Sequence, residues 1–321
     1  MKRRQFLASA GGTALAVTFA SRAIAASSPL KVVATTGMIA DAVREIGGDL
    51  VEVTALMGTG VDPHAYRQTR TDILALVRAD VVFWNGLYLE AQMEDFLETL
   101  STRTSVIAVA EALPAENLIA HDDYADRFDP HTWMNPDYWL YAIAAVEKSL
   151  SDAAPEHADV FGANAEAYLG RVAQVGTYQA DMLDTVPDAS RVLITAHDAF
   201  NYFGRAYDFD VIGIQGISTE SETGVNRIRE LVDMIVERNI RAVFFESSVS
   251  DRSIRALIEG AAAQGHELKI GGELFSDAMG VPGTYEGTYI GMIDHNATTI
   301  TRALGGIAPE RGLNGKLSAG S

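Results

Sequence analysis

The 321-residue chain contains no cysteine. That absence excludes a disulfide framework, thiolate metal ligation and a cysteine-borne lipid anchor. Positive charge is also scarce: 25 lysines and arginines face 43 aspartates and glutamates, for a formal charge of -18. So acidic a chain is a poor partner for nucleic acid or anionic lipid. It carries no His-Glu-x-x-His helix and no dense histidine tract, which weakens the readings of a zinc hydrolase and of a metal store. Its one sustained apolar run, Phe6 to Ala20, is too short and too rich in alanine and glycine for a membrane span.

That run belongs to an export leader expected over residues 1–25. Lys2, Arg3 and Arg4 precede it, and Ala23-Ile24-Ala25 offers small residues for cleavage. Arg3-Arg4-Gln5-Phe6-Leu7 resembles the twin-arginine signal, although Lys2 and Ala8 depart from it; an ordinary secretory signal is the alternative. Either route leads to the periplasm, with a soluble product. Cleavage after Ala25 leaves 296 residues, enough for about two domains, and its loss of four basic residues moves the formal charge from -18 to -22.

Strand and helix patterns alternate through the rest of the chain. Lys31 to Thr35, Val51 to Leu56, Val81 to Trp84 and Ser105 to Val109 read as short buried strands, with helices at 38–47, 69–78 and 90–99 between them. Such alternation implies a mainly parallel sheet covered on both faces. Between Pro155 and Pro187 no proline intervenes, and Phe161, Ala165, Tyr168, Val172, Val175, Met182 and Val186 form a stripe broken by Gln179. This predicts one long helix leading from the first domain into the second. The second half repeats the theme, with strands at 191–195, 211–214, 242–245 and 268–270 and helices at 223–238, 251–264 and 288–303. The fold class is therefore α/β: two lobes, each a mainly parallel sheet flanked by helices, joined by a single long helix. The expected divisions are 30–154, 155–187, 188–310 and a flexible tail over 311–321.

Two histidines follow prolines in matching turns, Asp62-Pro63-His64 and Asp129-Pro130-His131. Proline fixes the backbone before each ring, so both imidazoles have a set direction of approach. Without thiols, such histidines point to a metal site of imidazole and carboxylate. His197 begins the turn after a strand, and Asp277 occupies a similar position later in the chain.

Val61-Asp62-Pro63-His64, Asp129-Pro130-His131-Thr132-Trp133-Met134-Asn135-Pro136, Thr195-Ala196-His197-Asp198-Ala199-Phe200 and Ser276-Asp277-Ala278-Met279-Gly280 stand in one order along the chain. In these motifs it resembles the zinc- and manganese-binding solute receptors of bacterial ABC importers, over nearly the whole mature length. The resemblance implies that His64 and His131 from the first lobe, and His197 and Asp277 from the second, hold a metal at the lobe interface. It implies Zn2+ or Mn2+ as cargo, with Fe2+ also open, and delivery by a monomer to a membrane permease with its ATPase, without catalysis. Departures narrow the class. His197 stands where many manganese receptors place glutamate, and the stretch His121-Asp122-Asp123-Tyr124-Ala125-Asp126 is far poorer in histidine than the loop of many zinc receptors. Glu220 and Glu246 are candidates to accept a hydrogen bond from a ligand imidazole and fix its tautomer. His121, His157, His266 and His295 are read as ordinary histidines, Trp133 and Trp139 as core, and the acidic residues of 122–129 as a solvated loop.

Overall fold

The computed structural model describes residues 28–121, 126–221 and 223–318. The expected leader lies outside the described residues, as do Asp122, Asp123 and Tyr124 of the acidic stretch. In the first lobe, β1 (Leu30–Ala34), β2 (Val51–Ala55), β3 (Val81–Trp84) and β4 (Ser105–Ala108) form a parallel sheet in the order β2-β1-β3-β4. Short β-branched runs suit this sheet because helices cover both faces. Between the first two strands, α1 (Gly37–Gly47) buries Met38, Ile39, Val43 and Ile46, and Gly48, at φ 52°, turns the chain back. Next, α2 (Arg70–Arg78) is fixed by a capping box in which Thr69 accepts from the Asp72 backbone N–H and Asp72 accepts from that of Thr69. α3 (Glu94–Ser101) places Glu94 and Asp95 in its first turn, where the helix dipole favours them.

One helix has no counterpart among the sequence-based expectations. α4 (Pro136–Ala153) starts where Asn135 accepts a hydrogen bond from the Asp137 backbone and Pro136 occupies the first turn. Its buried Trp139, Ile143, Val146 and Leu150 are spaced four, three and four apart. The linking helix is α5 (Ala158–Asp184), 27 residues or about 40 Å. It packs on α1 and α4 and, from the second lobe, on α9 (Tyr289–Ala303). Tyr178 and Leu183 complete the buried stripe, with Met182 only half-buried, and Gln179 is buried but accepts from Tyr207 Oη at 3.1 Å. A Cβ on Gly176 would stand 3.1 Å from Pro136, so this glycine lets α4 start against α5.

The second lobe contains β5 (Val192–Thr195) paired in parallel with β6 (Asp210–Gly213), and β7 (Ala242–Glu246) paired in parallel with β8 (Lys269–Leu274). The pairs are separate two-stranded ladders, with β5 lying beside β7, in place of one continuous sheet. α6 (Asn201–Tyr207), α7 (Val225–Glu237) and α8 (Arg252–Ala263) complete the lobe around buried Ile194, Leu231, Ile235, Val243 and Leu257. The expected tail is docked as far as Ser318: Leu317 is buried and the Leu313 N–H donates to Asp294. At the junction of the lobes, Asp41 on α1 accepts from the backbone N–H of Tyr289, which opens α9, at 2.9 Å and from Tyr168 on α5 at 3.2 Å. His64, His197 and Asp277 all follow the carboxyl ends of parallel strands, where open α/β sheets offer a crevice. The long segment after β4 brings His131 to the same place.

Candidate metal centre

Both Asp-Pro-His turns close in the same way. Asp62 Oδ1 accepts from the His64 backbone N–H at 2.9 Å, and Asp129 Oδ1 accepts from that of His131 at 2.9 Å. Each aspartate thereby shapes a turn through its own side chain. Asp129 does more, since its Oδ1 also lies 2.7 Å from His131 Nδ1. On the second lobe, Glu246 at the end of β7 accepts from the His197 backbone N–H at 2.7 Å and lies 2.5 Å from His197 Nδ1. A carboxylate on Nδ1 holds the proton there, so in the neutral ring of His131 and of His197 it is Nε2 that carries the lone pair.

The four implied ligands converge. His64 Nε2 and His131 Nε2 are 3.3 Å apart; Asp277 Oδ1 is 3.4 Å from His131 Nε2, and Asp277 Oδ2 is 3.2 Å from His197 Nε2 and 3.9 Å from His64 Nε2. Ligand bonds of about 2.0 Å in a tetrahedron place donor atoms about 3.3 Å from one another, so this is the spacing a zinc-sized ion requires. All four residues are at most 2% exposed, and His197 Nε2 and both Asp277 oxygens lack hydrogen-bond partners. Buried donors left bare in this way are suited to a cation. Both carboxylate oxygens face the histidines, so Asp277 can bind through one oxygen or two.

Electrostatics point the same way. Burial lowers His64 to about 3, against the pull of Asp277 and with help from the other imidazoles. For His131 burial also lowers, but the Asp129 carboxylate outweighs it and lifts the ring to about 9. His197 is raised well above its usual value because Glu246 and Asp277 overcome burial. Burial raises Asp277, yet the neighbouring His197 and His131 hold it well below the ordinary range. The carboxylates thus favour the protonated forms of His131 and His197, while His64 stays neutral.

Glu220 does not take the place expected of it. It is exposed at the rim and accepts from Gln92 Nε2 of the first lobe, so among the paired candidates only Glu246 meets an imidazole. Three other histidines have partners elsewhere: His266 Nε2 donates to the Ile240 carbonyl, His295 Nε2 to that of Glu273, and the ring of His157 meets Phe161 edge-on.

Several supporting residues escape a reading of the sequence. Trp133 is buried as expected, but its Nε1 crosses to the second lobe and donates to the carbonyl of Ser276, beside Asp277, at 3.0 Å. Asn201 and Tyr202 bond to Asp129 from the other lobe. Thr219 Oγ1 donates to Asp62 Oδ2 at 2.6 Å and thereby ties the His64 turn to the second lobe. Buried Glu90 accepts from Thr35 Oγ1 and the backbone N–H groups of Asn85 and Gly86, and Asn85 Nδ2 donates to the Pro130 carbonyl next to His131. The short Asn85-Gly86-Leu87-Tyr88-Leu89-Glu90 turn after β3 is the only local signal for the last of these, and Gly86, Leu87 and Tyr88 all take positive φ there.

A family model described as "ZnuA: Zinc-uptake complex component A periplasmic" matches residues 32–303. The chain belongs to this family. Within the ZnuA family it is 49% identical over 279 residues to the manganese-binding lipoprotein MntA of Bacillus subtilis, covering 87% of this chain and 91% of that one. The solved periplasmic zinc-binding protein TroA of Treponema pallidum superposes with a TM-score of 0.84 at 43% identity, covering 87% of this chain and 99% of TroA. The iron-binding protein YfeA of Yersinia pestis is 30% identical over 275 residues, covering 86% of each chain. As in the ZnuA-family structure of TroA, the architecture is two α/β lobes joined by a long helix.

Proposed function

We propose that the protein is a periplasmic receptor that captures one divalent transition metal between its lobes and delivers it to an ABC-type permease with a separate ATPase. His64, His131, His197 and Asp277 are the ligands. The observation carrying this reading is that donor atoms of these four buried side chains lie within 4.8 Å of one another. Relatives named for manganese, zinc and iron support a site open to Zn2+, Mn2+ or Fe2+. Zinc binds most tightly of the three by the Irving-Williams order. The three imidazoles and one carboxylate are a tetrahedral zinc set, and both Asp277 oxygens suit a larger ion.

The protein works as a monomer and turns over no substrate: four protein donors fill a tetrahedral zinc, where a hydrolase keeps one position for water. The units are a twin-arginine leader over 1–25, lobes over 30–154 and 188–310, and a linker over 155–187. Calorimetry with zinc and manganese on alanine variants of the four ligands tests the site. Each variant loses binding by at least tenfold; unchanged affinity in two or more rejects the assignment. Replacing Arg3 and Arg4 by lysine traps precursor in the cytoplasm, and a normal periplasmic yield would reject the twin-arginine route.

A further inference from the structure

Trp133 is held from the opposite lobe at two points. Its Nε1 donates to the Ser276 carbonyl at 3.0 Å, and its own carbonyl accepts from the Tyr289 hydroxyl at 2.8 Å. The residue is 1% exposed, and its ring meets the ring of His131 edge-on with 5.2 Å between centroids. Buried and held at three places, the indole cannot turn aside. It therefore ties a ligand of the first lobe, through a rigid side chain, to the peptide that precedes a ligand of the second.

What that tie controls follows from the carboxylate. Asp277 is 2% exposed and neither of its oxygens has a hydrogen-bond partner. No neighbouring donor aims them, so the backbone sets their direction. The Ser276 carbonyl lies in the same rigid peptide plane as the Asp277 nitrogen, and Trp133 thereby fixes the plane from which the Asp277 side chain leaves. Serines of the second lobe hold the neighbouring groups: Ser248 Oγ is 2.9 Å from Ser276 Oγ, and Ser247 Oγ donates to the Ala278 carbonyl at 2.8 Å. In the resulting orientation Oδ1 is 3.4 Å from His131 Nε2 and Oδ2 is 3.2 Å from His197 Nε2, one oxygen toward each of two imidazoles. The carboxylate straddles the centre and offers both oxygens at once.

Two oxygens matter unequally to the two metals. Zinc is satisfied by three imidazoles and one oxygen and gains more from each donor; manganese stands lowest in the Irving-Williams order and takes a higher coordination number, so it depends on the second oxygen. Resting on the receptor function above, we propose that Trp133 is the residue that sets metal preference in this site: its indole N–H keeps Asp277 astride the ion and so admits manganese beside zinc. Trp133 is a positioning residue, acting through the Ser276 peptide. Both of its backbone-directed bonds cross between the lobes, so the two-oxygen arrangement holds only while the lobes are together.

The test is Trp133→Phe in the full protein, which keeps an aromatic edge beside His131 and removes the N–H. Calorimetry with manganese, and with zinc against a competing chelator, reads the two affinities, and circular dichroism checks the fold. Manganese affinity is expected to fall about 10- to 100-fold and zinc affinity by no more than about threefold. Ser248→Ala loosens the same segment but spares the bond to the Ser276 carbonyl, so it keeps the wild-type ratio of the two affinities. Equal losses for both metals in Trp133→Phe, unchanged manganese binding, or a ratio shifted as far by Ser248→Ala would overturn the proposal. A second measurement decides the matter if Trp133→Phe does not fold. Crystals of the manganese-loaded wild-type protein are expected to show both Asp277 oxygens on the ion and the Trp133–Ser276 bond intact; a single Asp277 oxygen on the ion, or two with that bond broken, overturns it. Wild-type binding separates the two readings: absence of both metals sinks the receptor function, whereas zinc binding without manganese binding sinks the assignment to Trp133 alone.

Discussion

Glu246→Gln changes one charge and almost no volume, yet it reaches the metal through His197. The wild-type carboxylate accepts two bonds, from the His197 backbone N–H at 2.7 Å and from Nδ1 at 2.5 Å, while 4% exposed. Glutamine has one oxygen for these two donors. If the amide NH2 faces Nδ1, the imidazole proton moves to Nε2 and the donor atom facing Asp277 is lost. If the oxygen faces Nδ1, the ring keeps its tautomer but loses the basicity the charge supplied. Removal of such a partner costs about 10- to 100-fold in metal affinity, roughly 1.4 to 3 kcal/mol. Competition against a zinc chelator at pH 7.5 measures this, with circular dichroism to check the fold. A folded Glu246→Gln variant binding zinc within twofold of wild type would refute the claim that this carboxylate prepares His197 for coordination.

Three other outcomes are expected from the geometry. Because His131 is lifted to about 9 and His197 is raised too, zinc must displace protons at pH 7. Calorimetry in two buffers of different ionisation enthalpy should show proton release that shrinks as pH approaches 9, and zero release at pH 7 would contradict this. Thr219→Val removes the bond that holds Asp62 from the opposite lobe. A hydrogen bond to a charged group is worth about 1.5–3 kcal/mol, so stopped-flow zinc dissociation should be at least tenfold faster, with Thr219→Ser near wild type; equal rates for all three would reject the tie. Burial raises Asp41 to about 6 against the Tyr289 N–H, so its ionisation costs the fold stability as pH rises from 3.8 through 6. Asp41→Asn should therefore gain on wild type, by up to about 3 kcal/mol between pH 4 and pH 7 in urea unfolding, and a pH-independent difference would contradict it.

Much of the fold and of the site was legible because it is local. The first-lobe strands are short β-branched runs between glycine and helix signals, and the 158–184 helix carries its apolar stripe at helical spacing. The four ligands stand in motifs a few residues long. α4 was missed although Asn135, Pro136 and the Trp139-Ile143-Val146-Leu150 spacing were present, because the Asp-Pro-His turn just before it reads as the end of a loop. No periodicity carries the division of the second-lobe strands into two pairs, or the register shift by which β7 and β8 pair at Val243 and Phe244, where Gly271 has no room for a Cβ beside the Phe244 ring. Glu220 stays at the rim with Gln92, while its neighbour Thr219, which was no candidate, reaches Asp62. Which of the two reaches inward depends on how one lobe faces the other, as do Trp133 with Ser276 and Asn201 with Asp129. Contacts between residues 70 to 160 apart leave no trace in local sequence pattern.

The central claim is tested most directly by crystals of the zinc-loaded protein measured on either side of the zinc absorption edge. One anomalous peak is expected between the lobes, about 2.0–2.1 Å from Nε2 of His64, His131 and His197 and about 2.0–2.2 Å from an Asp277 oxygen. A fully occupied peak elsewhere, or one bound by fewer than three of these four residues, would contradict the account.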